Sequence, residues 1–158
     1  MDPSVGLKQQ LVSHLKGGEA FMPIEEMLEK IPFSETGKRP ADLPYSFYEL
    51  FCHIRFTQKD ILNYCTLKDY SAPAWPDAYW PKEQAPKDEA EWEEVKTNYV
   101  QEREELANLI ISPEKNLLQP VPSGKHNFFR EVLLVIEHTS YHSGQLLILL
   151  RHLGLHSS

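Results

Sequence analysis

Two histidines four residues apart, His138 and His142, have the spacing in this sequence that most directly indicates chemistry. Positions four apart lie on one face of an α-helix, one turn from each other, so both imidazoles can reach a common ion. Apolar neighbours flank this face, which predicts that it is turned toward a core. Two histidines turned inward must avoid each other's charge or share a cation, so the pattern predicts a metal site. At about 100° per residue, the following residues share the face: Glu131, Leu134, His138, His142, Gln145 and Leu149.

A third ligand must come from another helix at a similar depth. His53 and His14 are both candidates, since each falls on the inner edge of a predicted helix. Spacing alone does not choose between them.

Three imidazoles without a fourth protein ligand leave a coordination position open, as in catalytic rather than structural metal sites. Nitrogen ligands suit zinc, nickel, iron and copper, and we expect zinc or nickel here. The run from His138 to His142 lacks the glutamate that follows the first histidine in zinc proteases. The sequence also contains no glycine-rich phosphate loop and no nucleophile elbow. The metal ion is therefore the cofactor that the residues predict.

Four helical segments are predicted to position these histidines. The first extends from Asp2, as N-cap, to Ile31, with a kink at Gly17, Gly18 and Pro23. The second begins after Ser46, because Glu49 stands three residues later as in a capping box, and it ends near Thr66.

The third helix begins after Asp88, and the fourth runs from the N-cap Asn127 to Leu153 and stops at Gly154. No alternating strand pattern of useful length is present. The prediction is an all-α four-helix bundle with long crossover loops, forming a single domain over residues 1–158.

The segment 67–87 is predicted to be a long loop because four prolines interrupt it. Its aromatic residues indicate an ordered loop packed on the bundle. We expect the part from Tyr70 to Trp80 to line the mouth of the metal site and to contact substrate through Trp75, Tyr79 or Trp80. The alternative is that Trp75 and Trp80 fill gaps between helix ends.

Composition excludes several classes of protein. The 158 residues are 41% hydrophobic, which is typical of a compact soluble domain. The net charge of -7 has the wrong sign for binding phosphates, so neither nucleic acid nor an anionic membrane is an expected partner. The first ten residues lack a signal-peptide pattern, and we expect a cytoplasmic location. Two cysteines, Cys52 and Cys65, fit a reducing compartment, and their separation along one helix predicts free thiols.

Three stretches resemble the DinB family, also called DinB/YfiT-like. The segment from Ser46 to His53, Ser-Phe-Tyr-Glu-Leu-Phe-Cys-His, is similar to the family's capped helix with its first histidine, and Gln58 with 60–62 continues the pattern. The segment from His138 to Gln145, His-Thr-Ser-Tyr-His-Ser-Gly-Gln, resembles the family's paired histidines followed by Gly-Gln. The segment from Trp75 to Pro81 resembles a loop found in one branch of the family.

The resemblance implies a four-helix bundle and implies His53, His138 and His142 as the metal-binding triad. Proteins of this fold include bacillithiol-dependent S-transferases and a mycothiol-dependent isomerase. The resemblance thus implies a metal-dependent enzyme that acts on a small molecule, either as a thiol-dependent S-transferase or as a hydrolase. The cofactors it implies are the metal and a low-molecular-weight thiol. The alternative is a non-catalytic bundle protein that binds metal or a small molecule.

A homodimer is also predicted, because the fourth helix carries apolar residues away from its histidine face: Val132, Leu133, Ile136, Leu146 and Leu150. A helix that is apolar on every side must be covered on every side. Neighbouring helices of the same bundle are the alternative cover.

Overall fold

The computed structural model describes residues 3–157, in which five α-helices and three short 3-10 helices form and no β-strand does. The helices are α1 (Pro3–Lys16), α2 (Ile24–Lys30), α3 (Phe47–Thr66), α4 (Glu89–Ile111) and α5 (Phe128–His152). The all-α prediction is confirmed. None of these helices is both long and apolar enough to cross a membrane.

The predicted helix boundaries agree closely for the three long helices. Ser46 and Glu49 form a complete capping box, in which each side chain accepts a hydrogen bond from the other residue's backbone N–H. Asp88 and Asn127 are the N-caps of α4 and α5, as predicted. Each side chain accepts one hydrogen bond, from the backbone N–H of the residue three positions later. Gly154 follows α5 with φ of 73°, a left-handed conformation that ends a helix.

The prediction of one kinked helix up to Ile31 is wrong. The structure has two helices, α1 and α2, separated by the non-helical residues 17–23. Gly17 and Gly18 adopt φ of 81° and 89°, and two successive left-handed residues end a helix rather than bend it. Pro23 then stands as the N-cap of α2. The predicted cap at Asp2 lies outside the described residues.

Helices α1, α3, α4 and α5 form the bundle. Helix α1 packs against α4 and α5, and α3 packs against the same two helices, so α1 and α3 lie on one diagonal. The first half of α3 shares an apolar cluster with the last turns of α5, while the second half of α3 shares another with the start of α5. Helices α3 and α5 are therefore antiparallel, which brings the middle of α3 opposite the middle of α5.

A layer of polar side chains separates the two apolar clusters. Arg103 of α4 is 3% exposed and donates from Nε to Gln58 Oε1 at 2.9 Å and from a terminal nitrogen to Thr139 Oγ1 at 3.1 Å. Its other terminal nitrogen donates to the Leu15 carbonyl at the end of α1. The guanidinium lies 4.7 Å from the centre of the Tyr99 ring, whose carbonyl accepts from Gln58 Nε2. One side chain thus joins all four bundle helices.

The long loop after α3 runs back along that helix. Helices α3 and α4 are parallel, because their first halves share one apolar cluster and their second halves the other. The connecting segment must therefore return the full length of α3. Tyr70 contacts Tyr64 near the end of α3, and Gln84 accepts a hydrogen bond from Ser46 at its start. The loop passes the middle of α3 between these two points.

Replacing Arg103 with lysine keeps the charge and tests the geometry of the polar layer. One ammonium group cannot reach three acceptors spread around a guanidinium plane, so at least one buried acceptor loses its partner. We expect Arg103→Lys to lower the free energy of unfolding by about 2 kcal/mol in urea denaturation. The exposed Arg151 gives the control, Arg151→Lys, for which we expect a change within about 0.5 kcal/mol. Equal stability of the two variants would contradict the role given to Arg103.

Candidate metal centre

Three histidines from two helices meet in the middle of the bundle. His53 of α3 faces His138 and His142 of α5, with ring centres 4.9 and 4.8 Å away, and the rings of His138 and His142 are 4.5 Å apart. One ring nitrogen from each lies within 4.8 Å of the others. In the described part of the chain, no cysteine or carboxylate joins this group.

The positions of the three histidines along α3 and α5 explain why their rings come together. The capping box fixes the start of α3, and His53 follows two turns later on a buried face. On α5 the buried stripe includes Thr139 and His142, while His138 lies at its half-buried edge. His53 is 3% exposed and His142 is 8% exposed. The face of α5 that is predicted to turn inward is the buried one, but the middle of the buried stripe lies beside His138 and not on it.

Two of the three imidazoles have their proton position fixed by an oxygen acceptor. His53 Nδ1 lies 3.0 Å from the backbone carbonyl oxygen of Tyr79, which can only accept, so Nδ1 carries the proton. His142 Nδ1 faces Gln145 Oε1, the accepting end of that amide, so with this orientation of the amide Nδ1 carries the proton here too. The Nε2 atoms of His53 and His142 therefore keep free lone pairs. This is the tautomer in which metal-binding histidines are usually held by their neighbours.

The spacing of the nitrogens fits a shared ion. Nε2 of His53 and Nε2 of His138 are 3.1 Å apart. Two nitrogens bound to one ion at about 2.0–2.1 Å, with angles between octahedral and tetrahedral values, lie about 2.8–3.4 Å apart. In the protein alone, the same pair forms a hydrogen bond in which His138 Nε2–H donates, because His53 Nε2 has no proton. A bound cation would take the place of that single proton.

The electrostatics keep all three rings neutral. Burial, and after it the neighbouring His142 and His53, together lower the pKa of His138 to about 3. Burial also lowers the pKa of His53 and of His142, although hydrogen bonds to the Tyr79 carbonyl and to Gln145 act in the opposite direction. Neutral imidazole is the form that binds metals.

The returning loop covers one side of the cluster. The Trp80 indole stacks on the His53 ring at 4.1 Å with an angle of 3° between the planes, and Tyr45 packs beyond it. The loop therefore reaches the histidines, as expected for a segment at the mouth of the site. Trp75 is 72% exposed, so it fills no gap between helix ends. It rests instead against the edge of Tyr79.

The remaining predicted residues have clear positions. His14 is exposed on α1 and lies outside the cluster, so the structure brings only His53 of the two candidates to the paired histidines. Gln145 contacts His142, and the exposed Tyr141 packs its ring against the same histidine at 4.9 Å. Cys52 and Cys65 are free, as predicted, and burial raises the pKa of each thiol to about 12.

Two features of the site escaped the sequence analysis. His53 Nδ1–H donates to the backbone carbonyl of Tyr79, and any residue type carries such a carbonyl, so the sequence gives no sign of this contact. The buried Arg103 beside Thr139 looks in the sequence like one more charge on a helix rich in charged residues. The aromatic and proline content of the loop was the available indication that it packs on the bundle.

Comparison with known proteins identifies the family of the chain. The family model of the DinB superfamily matches residues 20–146, a range that contains all three histidines and the loop over them. The chain belongs to the DinB superfamily. No curated protein and no solved structure matches it significantly. The membership and the three-histidine cluster together fit a metal-binding DinB protein.

Proposed function

We propose that this DinB protein is a metal-dependent enzyme in which His53, His138 and His142 hold one divalent ion, zinc or nickel. The observation that carries the proposal is the orientation of the rings. Oxygen acceptors hold the Nδ1 protons of His53 and His142, which leaves their Nε2 lone pairs free for an ion. A histidine cluster with only a packing role would not need two such tautomer constraints.

The donor set supports an open rather than a closed site. Three neutral imidazoles leave at least one coordination position for a ligand from outside. An ion held in this way lowers the pKa of a bound thiol or water toward neutrality. Trp80 keeps solvent from one face of His53, and Gln145 holds His142 in its orientation.

The reaction we propose is transfer of a low-molecular-weight thiol to a small electrophilic molecule, or hydrolysis of a small molecule. The thiol must come from outside the chain for a physical reason. Neither Cys52 nor Cys65 belongs to the histidine cluster, and burial raises the pKa of each thiol to about 12.

A non-catalytic role is the second candidate, and one observation favours it. Within the described residues, no carboxylate lies in the histidine cluster itself to serve as a general base. A protein that only binds metal or a small molecule would need none.

Removing the paired histidines tests the metal site. For protein purified without a nickel column, we expect about one zinc or nickel ion per chain in metal analysis. The double substitution His138→Ala and His142→Ala should abolish binding, because one imidazole cannot hold the ion alone. The matched control is His14→Ala, which removes an exposed histidine and should leave occupancy unchanged. Full occupancy in the double variant would refute the proposed ligands.

Activity measurements separate the two candidate functions. We expect metal-loaded protein to consume bacillithiol, mycothiol or glutathione in the presence of an electrophile, or to hydrolyse a small ester or amide. The His53→Ala variant should lose more than about 100-fold of this rate, since the ion loses one of three ligands. Stoichiometric metal binding with no turnover in either screen would favour the non-catalytic role.

We also propose that the protein forms a homodimer through α5. Of the apolar residues on which the prediction rests, Val132, Leu146 and Leu150 are buried within the chain itself. Leu133 is 43% exposed, and Ile148, further along the same helix, is 45% exposed, so apolar surface is left for a second copy. Sedimentation velocity at tens of micromolar should show a dimer, and Leu133→Glu should shift it toward monomer. A monomeric wild-type protein would contradict the proposal.

A further inference from the structure

Asp60 of α3 receives two hydrogen bonds from the loop that covers the histidines. The Tyr70 hydroxyl donates to Asp60 Oδ1 at 2.8 Å, and the Tyr79 hydroxyl donates to Asp60 Oδ2 at 2.6 Å. Each oxygen of this half-buried carboxylate is thus occupied by one tyrosine. Burial and the bond to Asp60 raise the pKa of Tyr79 to about 12, so its hydroxyl is a protonated donor at neutral pH.

Tyr79 connects Asp60 to the histidine cluster. Its side chain reaches Asp60, while its backbone carbonyl accepts the hydrogen bond from His53 Nδ1. The ring lies edge-on against Phe56, one turn from His53, and the next residue, Trp80, stacks on the His53 ring. The two contacts of the loop with His53 therefore come from Tyr79, which the Asp60 carboxylate holds against α3, and from Trp80, the residue that follows it.

We propose that Asp60 is a positioning residue that fixes the Nδ1–H tautomer of His53, by holding Tyr79 so that its carbonyl stays on His53 Nδ1. Asp60 is seven residues after His53, two helical turns away, and acts only through Tyr79. A free imidazole favours the proton on Nε2. Without the Tyr79 carbonyl, that proton would occupy the side of His53 that faces His138 Nε2.

The consequence for metal affinity rests on the proposed metal site, whereas the tautomer does not. With the carbonyl in place, His53 presents a lone pair to the cluster before any ion arrives. Without it, the protein must first change the tautomer and orient the ring. Loss of such a supporting contact lowers metal affinity by about 10–100-fold in characterised sites.

The tautomer is measured directly in the metal-free protein. Protein labelled with ¹⁵N-histidine and treated with chelator gives ring-nitrogen signals that distinguish Nδ1–H from Nε2–H, and a His53→Gln variant assigns the His53 signals. We expect the Nδ1–H form in the wild type and a shift toward Nε2–H in Asp60→Ala. Tyr79→Phe removes one hydroxyl while keeping the ring on Phe56, and it should shift His53 in the same direction if Asp60→Ala fails to fold.

Asp77→Asn is the matched control, since Asp77 is an exposed carboxylate of the same loop. It should leave the His53 tautomer unchanged. If folded Asp60→Ala or Tyr79→Phe keeps the Nδ1–H form of His53, the proposal is overturned. An Asp60 with only a structural role would change the free energy of unfolding when substituted, but it would leave the proton of His53 on Nδ1.

Zinc affinity, measured by competition with a chelator, gives the second readout. We expect Asp60→Ala to bind zinc about 10–100-fold more weakly than both the wild type and Asp77→Asn. If the tautomer responds as expected while the wild type binds no metal, the proposed metal site fails and the positioning role of Asp60 is supported.

Discussion

The fold depends on a buried cation held between two apolar clusters. Arg103 is enclosed by Gln58, Thr139 and the Leu15 carbonyl, and these groups belong to the other three bundle helices. Burying a guanidinium is costly unless its donors are satisfied, so the helices must take the one arrangement that satisfies them. That arrangement sets the register of α3 against α5. Thr139 follows His138 directly, so the same register places the paired histidines opposite His53.

The parallel arrangement of α3 and α4 has a second consequence. A chain that leaves the end of α3 must return to its beginning, and it does so along the side of α3 that carries His53. The hydroxyls of Tyr70 and Tyr79 attach this segment to the helix. The loop therefore belongs to the site: it supplies the carbonyl that orients His53 and the indole that covers it.

Sequence reasoning succeeded where a local rule applies. Ser46 and Glu49 identify the start of α3 because a capping box is a matter of spacing, and the four-residue interval of His138 and His142 identifies a shared helix face. Local rules failed at Gly17 and Gly18, where the pattern of apolar residues continued across a break. The Tyr79 carbonyl and the Arg103 contacts depend on tertiary packing, which residue types and spacing do not encode.

The proposed metal centre requires that the three imidazoles bind one ion together. X-ray absorption at the zinc edge of zinc-loaded protein measures this most directly, since imidazole rings give a characteristic outer-shell scattering pattern. We expect three imidazole nitrogens at about 2.0–2.1 Å from the zinc in the wild type and two in the His53→Ala variant. A first shell without imidazole scattering, or one unchanged in His53→Ala, would contradict it.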